Sequence, residues 1–99
     1  MTDGQRIKDL REQRGITLEE LGKKMGITRQ AVHSLETRDN IGLATMRKVA
    51  DALGTHPAYL MGFVSEEEAL SMLDYERVLE AYKAASPETK AIIRKILEV

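Results

Sequence analysis

The sequence predicts an all-α protein in two helical parts. Hydrophobic residues recur at helical spacing in successive stretches of the 99-residue chain, and no strand-like alternation of useful length appears. Capping-box patterns open three of these stretches, and single glycines close several of them. The chain has one phenylalanine, three tyrosines and no tryptophan, so we expect an aliphatic core.

Start and stop signals delimit five helices in the first part. The first three helices are expected to be capped by threonines, namely Thr2, Thr17 and Thr28. Glycines that tolerate a left-handed backbone are expected to end three helices, and these are Gly15, Gly26 and Gly54. The third helix is predicted from Arg29 to about Glu36, and a polar loop then leads to a fourth that starts at about Leu43. A short fifth helix follows Thr55-His56-Pro57.

The second part begins near Ser65, which forms a capping-box pattern with Glu68. A stripe at helical spacing follows and consists of Tyr75, Val78, Leu79 and Tyr82. Ser86-Pro87 restarts a helix, with serine as the cap and proline at the first helical position. The apolar face of this last helix consists of Ile92, Ile93, Ile96 and Leu97.

Charge is spread unevenly over the two parts. Residues 1–62 hold ten Lys and Arg against eight Asp and Glu, whereas residues 63–99 hold five against eight. The first part is therefore better suited to an anionic partner, although the net charge of the whole chain is −1.

Composition argues against several classes of function. The chain has no cysteine, and its two histidines, His33 and His56, lie far apart, so we expect no metal site and no cofactor. No nucleophile, base and orienting group occur together, so we do not expect an enzyme. No apolar run reaches the length of a membrane span, and the N-terminal residues are polar, so a cytoplasmic protein is expected.

The central motif is a short helix, a glycine turn and a second short helix within residues 18–37. A helix-turn-helix has this layout, with a tight turn that often contains glycine. Gly26 lies where the turn needs a positive φ, and Gly22 lies where the two helices approach closely. Four hydrophobic residues are spaced to meet between the helices, namely Leu21, Ile27, Val32 and Leu35.

A longer pattern surrounds this motif. It runs as Ile7-x-x-Leu10-Arg11-x-x-Arg14-Gly15-Ile16-Thr17-x-x-Glu20-Leu21, Gly26-Ile27-Thr28-Arg29-Gln30-Ala31-Val32, Leu35-Glu36, Met46-x-x-x-Ala50-x-Ala52-Leu53-Gly54 and Tyr59-Leu60-Met61-Gly62. With this pattern, residues 6–62 resemble the Cro/phage-repressor helix-turn-helix family, also called the xenobiotic-response-element (XRE) family. The resemblance implies a five-helix lambda-repressor-like domain, over residues 1–62, that binds operator DNA as a dimer and regulates transcription. In this family alanine is usual where the chain has Gly22.

The early outward positions of the third helix are candidates for reading DNA bases. A recognition helix enters the major groove with its N-terminal residues at the base edges. Arginine can bind guanine and glutamine can bind adenine through paired hydrogen bonds, which favours Arg29 and Gln30. By resemblance, Arg29, Gln30 and Ser34 fall on the family's base-reading positions. For His33, a solvated surface position is the alternative that we slightly prefer.

Contacts with the DNA backbone are expected from side chains at the ends of the two motif helices. These side chains are Thr17, Thr28, Thr37 and Arg38. Backbone N–H groups at the start of the second helix can also bind a phosphate. The resemblance further implies a structural salt bridge between Arg11 and Glu36, which would hold the recognition helix at its angle.

Residues 63–99 form a C-terminal helical extension, for which we expect a helical hairpin. Two amphipathic helices of this length cannot form a core alone, so their apolar faces need another surface. We therefore expect a dimerisation element formed by the stripe and the apolar face defined above, with a hairpin that merely caps the first domain as the alternative. We also expect residues 65–99 to be removable without unfolding the first part.

Two functions fit these sequence features. The leading one is a dimeric repressor that binds an inverted-repeat operator in double-stranded DNA. The alternative is an antitoxin that regulates its own operon and binds a toxin through the C-terminal helices. Either function allows a further protein partner, a toxin or an antirepressor.

Overall fold

The computed structural model describes residues 1–97, and the described part of the chain is helical throughout, without strands. It contains seven helices: α1 (Asp3–Gln13), α2 (Leu18–Met25), α3 (Arg29–Glu36), α4 (Leu43–Leu53), α5 (Pro57–Leu60), α6 (Glu66–Ala84) and α7 (Pro87–Leu97). The all-α prediction is confirmed, as is the order of five helices followed by two more. No helix in this range is long and apolar enough to cross a membrane.

Local signals set the helix ends. Thr2 and Gln5 form a reciprocal capping box at α1, and Ser65 and Glu68 form another at α6. The capping box predicted at Thr17 forms only in half. The Thr17 hydroxyl accepts a hydrogen bond from the Glu20 backbone N–H, but it also donates to the Glu20 carboxylate. The glycines that end α2 and α4 adopt the left-handed conformation expected of them.

The core lies among the first five helices and is aliphatic. Its buried members come from α1 to α5 and the loop before α4, namely Ile7, Leu10, Leu21, Val32, Leu35, Ile41, Met46, Val49, Ala50, Leu53 and Leu60. These residues recur at helical spacing, so each helix turns one apolar face inward and leaves the opposite face in solvent. Burying this surface is the main driving force that holds α3 in the bundle.

Helices α2 and α3 pack against each other across the turn at Gly26, whose φ is 71°. At Gly22 a Cβ atom would lie 2.7 Å from the Ile27 carbonyl oxygen, so only glycine allows this approach. The alanine that is usual in the family does not fit here without a shift of the turn. Ile27, which was expected between the helices, instead lies at their edge with 36% of its surface exposed.

The first half of α6 packs onto α5 and the adjoining bundle. Ala69 is completely buried, Arg14 contacts Glu66 at 3.3 Å, and His56 Nε2 lies 2.9 Å from Glu76 Oε1. Beyond Glu76 the helix is largely exposed. The packed bundle thus runs past residue 62 into the middle of α6. The division into units 1–62 and 63–99 stays a prediction about independent folding.

Helix α7 follows α6 after the two-residue turn Ala85-Ser86. Within residues 1–97 it packs closely along no other helix. Its ties to α6 centre on Tyr82, whose hydroxyl accepts a hydrogen bond of 2.7 Å from Arg94 Nε. Lys90 and Arg94 also lie over the Tyr82 ring. The two C-terminal helices therefore form an open pair.

Candidate nucleic-acid interface

The exposed face of α3 carries the side chains predicted to read bases. Arg29, Gln30, His33 and Ser34 are all exposed, and together with Leu18 they line one shallow depression. Spacing of three and four residues places them on neighbouring positions of one helix face. The fold thus brings all four predicted residues to one solvent-facing surface.

A second depression continues this surface to the start of α2. Arg29 and Leu18 line both depressions, and Thr17 and Glu19 line the second. The first turn of α2 carries backbone N–H groups that the helix itself does not pair, which favours an anion. Glu19 and Glu20 in the same turn add negative charge there. These acids weaken a phosphate contact at this helix end.

The three threonines predicted to contact the DNA backbone differ in their hydrogen bonds. Thr17 donates its hydroxyl hydrogen to Glu20 at 3.2 Å, and Thr37 donates to the Ser34 carbonyl oxygen at 2.8 Å. Thr28 only accepts, from the Ala31 backbone N–H at 3.1 Å. Of these three residues, Thr28 is the one whose hydroxyl hydrogen remains available for a phosphate oxygen.

Arg38 lies in the loop between α3 and α4, and its side chain is exposed. Its backbone is held firmly, because its N–H donates to the Leu35 carbonyl oxygen and its own carbonyl accepts from Gly4 N–H. A fixed backbone with an exposed guanidinium suits a phosphate contact that positions the protein on DNA.

Arg11 and Glu36 form a buried, bidentate ion pair. Arg11 Nε donates to Glu36 Oε2 at 2.7 Å, and Nη2 donates to Oε1 at 3.0 Å. The remaining nitrogen, Nη1, donates to the Ile16 carbonyl oxygen at 2.9 Å. The hydrogen bond to Glu36 raises the pKa of Arg11, against the lowering effect of burial. The guanidinium thus joins α1, the loop after it and the end of α3.

The predicted dimerisation residues are mostly exposed. Tyr75, Val78 and Leu79 on α6, and Ile92 and Ile96 on α7, all expose large apolar side chains. Two further members of the set, Tyr82 and Ile93, are half-buried, and the side chain of Leu97 lies outside the part that the structure describes. Tyr82 is engaged within the chain by Arg94, so it is less available to a partner than its neighbours are.

Several structural contacts were not foreseen from the sequence. Asp3 accepts a hydrogen bond of 2.9 Å from the Ile41 backbone N–H, and His56 caps α5 while binding Glu76. The capping box at Thr2 marks Asp3 only as a first-turn acid. No pattern along the chain indicates its partner, which is 38 residues away. In residues 1–97 no group of three or more potential ligand side chains is placed to hold a metal ion.

Comparisons with known proteins agree with this geometry. The family model described as Helix-turn-helix matches residues 7–60. The immunity repressor protein of Bacillus phage phi105 is 37% identical over an alignment of 73 residues, and the match covers 70% of this chain and 51% of that protein. This chain thus spans about half the length of that relative.

A solved structure shares the fold. A chain of the SinR protein/SinI protein complex superposes with a TM-score of 0.53 at 24% identity, and the match covers 96% of this chain and 93% of that chain. The family match covers more than half of the sequence and contains α2, the turn and α3. The chain therefore belongs to the helix-turn-helix family, and within it to the Cro/phage-repressor type.

Proposed function

We propose that this chain is a sequence-specific DNA-binding regulator of transcription and not an enzyme. The observation that carries the proposal is the exposed face of α3. Arg29, Gln30 and His33 project there, and their side chains make no hydrogen bond to any other residue within 1–97. Long polar side chains that are left unpaired on a rigid helix are suited to paired hydrogen bonds with base edges.

The direction of regulation rests on the relative from phage phi105, which is named an immunity repressor. We infer repression for this chain as well. Binding in the major groove, with phosphate contacts on either side from Thr28 and Arg38, would occlude the promoter that carries the operator.

The experiment compares two variants of the reading face with one control. Arg29→Ala and Gln30→Ala are each expected to weaken binding to the specific site, the DNA upstream of the chain's own gene, by about 1–3 kcal/mol. Binding to random duplex DNA should change little for Gln30→Ala. For Arg29→Ala it should fall only by the loss of one charge.

Arg77→Ala is the matched control, because it removes an exposed arginine from α6, away from α3. Affinities are measured by fluorescence anisotropy on both duplexes at two salt concentrations. Equal losses on specific and random DNA would show that Arg29 and Gln30 touch only the backbone.

The regulator is proposed to act as a homodimer. Exposed apolar side chains on α6 and α7 have no cover within residues 1–97, and a second copy can supply it. Charge favours this occupant, because α6 has six acids and two bases, whereas α7 has one acid and three bases. Two copies can thus place α7 of one chain beside α6 of the other. The operator is then an inverted repeat with half-sites about 10 base pairs apart.

A second candidate function uses the same exposed side chains of α6 and α7 to bind a different protein. The similar solved structure is a complex of SinR with SinI, so that protein has a protein partner. For this chain the candidate is an antitoxin, or a repressor relieved by an antirepressor. A full chain that is monomeric in solution would favour binding of a different protein. A stable homodimer would favour the homodimeric regulator.

A further inference from the structure

The first turn of α1 binds the loop that follows the recognition helix. Gly4 N–H donates to the Arg38 carbonyl oxygen at 3.1 Å, and Asp3 N–H donates to the Asp39 carbonyl oxygen at 3.1 Å. In return, Asp3 Oδ2 accepts from the Ile41 backbone N–H at 2.9 Å. Three hydrogen bonds therefore tie residues 38–41 to the start of α1, and two of them use N–H groups that a helix start leaves unpaired.

The contact is close enough to require glycine. A Cβ atom on Gly4 would lie 2.5 Å from the Glu36 carbonyl oxygen and 2.7 Å from the Arg38 carbonyl oxygen. Gly4 is buried, so the start of α1 sits directly against the end of α3. Because these neighbours are backbone atoms, a larger side chain at position 4 would push the loop away from α1.

The Asp3 carboxylate is itself held in place. Its Oδ1 accepts from Arg6 Nη1 at 3.4 Å, and only 14% of its side chain is exposed. A carboxylate near DNA is unfavourable for direct phosphate binding, because like charges repel. The Asp3 carboxylate therefore serves the loop that carries Arg38 by holding the loop's backbone, and not by contact with DNA.

Resting on the proposed function, we propose that Asp3 and Gly4 are positioning residues for DNA binding. They fix residues 38–41 so that the Arg38 side chain reaches a phosphate. Neither residue lies in the segment 7–60 that matches the family model. Glu36, at the end of α3, is held separately by Arg11, so α1 holds the end of the recognition helix and the following loop at two points.

The test uses the full chain and compares Asp3→Ala with Asp9→Ala. Both variants remove one acid from α1, but Asp9 is exposed and outside the anchor. Loss of a negative charge alone leaves DNA affinity unchanged or raises it. Asp3→Ala is instead expected to lower affinity about three- to tenfold, within the range of coupling between residues that share a network. Its salt slope should also become shallower by about 0.9, the value of one phosphate contact.

Two further variants separate positioning from a general loss of stability. In the Asp3→Ala background, Arg38→Ala should cost little more, whereas alone it should cost about as much as Asp3→Ala. Asp3→Asn keeps an acceptor for the Ile41 N–H and should restore most of the affinity. A loss at Arg38→Ala that is the same in both backgrounds would overturn the proposal.

A readout without DNA distinguishes this proposal from the proposed function. Amide exchange of Ile41, followed by NMR, should accelerate in Asp3→Ala and stay unchanged in Asp9→Ala. A wild-type chain that binds no DNA would contradict the proposed function. A wild-type chain that binds, with Asp3→Ala matching Asp9→Ala in affinity and salt slope, would overturn the anchor alone.

Discussion

At the scale of single residues, hydrogen-bond donors decide what the candidate site can do. Thr17, Thr28 and Thr37 were all expected to contact the DNA backbone. The hydroxyl hydrogens of Thr17 and Thr37 are committed within the chain, to Glu20 and to the Ser34 carbonyl oxygen. Residue type alone therefore does not decide which threonine can donate to a phosphate, because the acceptor nearest to each hydroxyl sets its availability.

The ion pair of Arg11 and Glu36 supports a prediction about stability. Both side chains are buried, at 9% and 5% exposed. Removing one partner leaves an unpaired buried charge, so Arg11→Ala should lower the free energy of unfolding by about 3 kcal/mol. Urea denaturation measures this value.

Two comparisons sharpen the Arg11 experiment. Lys8→Ala removes an exposed cation from the same helix and should change stability by less than about 0.5 kcal/mol. The double variant Arg11→Ala, Glu36→Gln should be more stable than Arg11→Ala alone, because the buried charge is gone. An unchanged unfolding midpoint in Arg11→Ala, with weakened DNA binding, would mean that Arg11 serves DNA contact instead.

At the scale of helices, the close approach of α2 to the turn before α3 decides which residue fits at position 22, and helix propensity does not. In an exposed helix interior, alanine is more stable than glycine by about 1 kcal/mol. At Gly22 the Ile27 carbonyl oxygen occupies the space of a Cβ at 2.7 Å. The turn between α2 and α3 is therefore packed more tightly than the family's usual alanine allows.

Gly22→Ala should for this reason destabilise the protein by about 1–3 kcal/mol, the usual cost of overpacking. It should also weaken specific DNA binding, because α3 must move away from α2. Thermal unfolding and DNA titration provide the two measurements. Gly42→Ala is the control, since no atom lies within 4 Å of a Cβ there. A Gly22→Ala variant that is more stable than the wild type would contradict this prediction, because it would mean that the turn relaxes without cost.

At the scale of the whole molecule, the packed bundle ends inside α6, and the exposed part, which is the rest of α6 with α7, begins there. The sequence indicated a boundary between the two parts at about residue 63, where charge and composition shift. The structure continues the packing through Ala69 and the pair of His56 with Glu76. The unpartnered surface then begins at Tyr75 and continues into α7.

Two deletions and two point variants test this arrangement. Removing residues 77–99 should leave a folded monomer, because every contact of α6 with the bundle described above is kept. Removing residues 65–99 should cost several kcal/mol more, because the α5 surface covered by α6 becomes exposed. Urea denaturation and light scattering report stability and mass.

In the full chain, Val78→Asp should abolish the dimer, because it places a charge in the exposed stripe. Ala84→Asp adds the same charge on the opposite face of α6 and should leave the dimer intact. A dimer that survives both Val78→Asp and the loss of residues 77–99 would place the contact within the bundle.

The sequence by itself determined the helices and the helix-turn-helix. Caps such as Thr28 and stops such as Gly26 act within about four residues, so their effect is written in the local sequence. The same short range made the face of Arg29 and Gln30 predictable once the start of α3 was known.

Only the tertiary structure decided which distant residues meet. Asp3 with Ile41, His56 with Glu76 and the burial of Ala69 depend on how helices cross and on how far α6 follows α5. Helical periodicity tells which face turns inward, but it does not give the angle or the partner. Hydrogen bonds and close packing act over about 3–4 Å, so these contacts exist only after the core has set those angles.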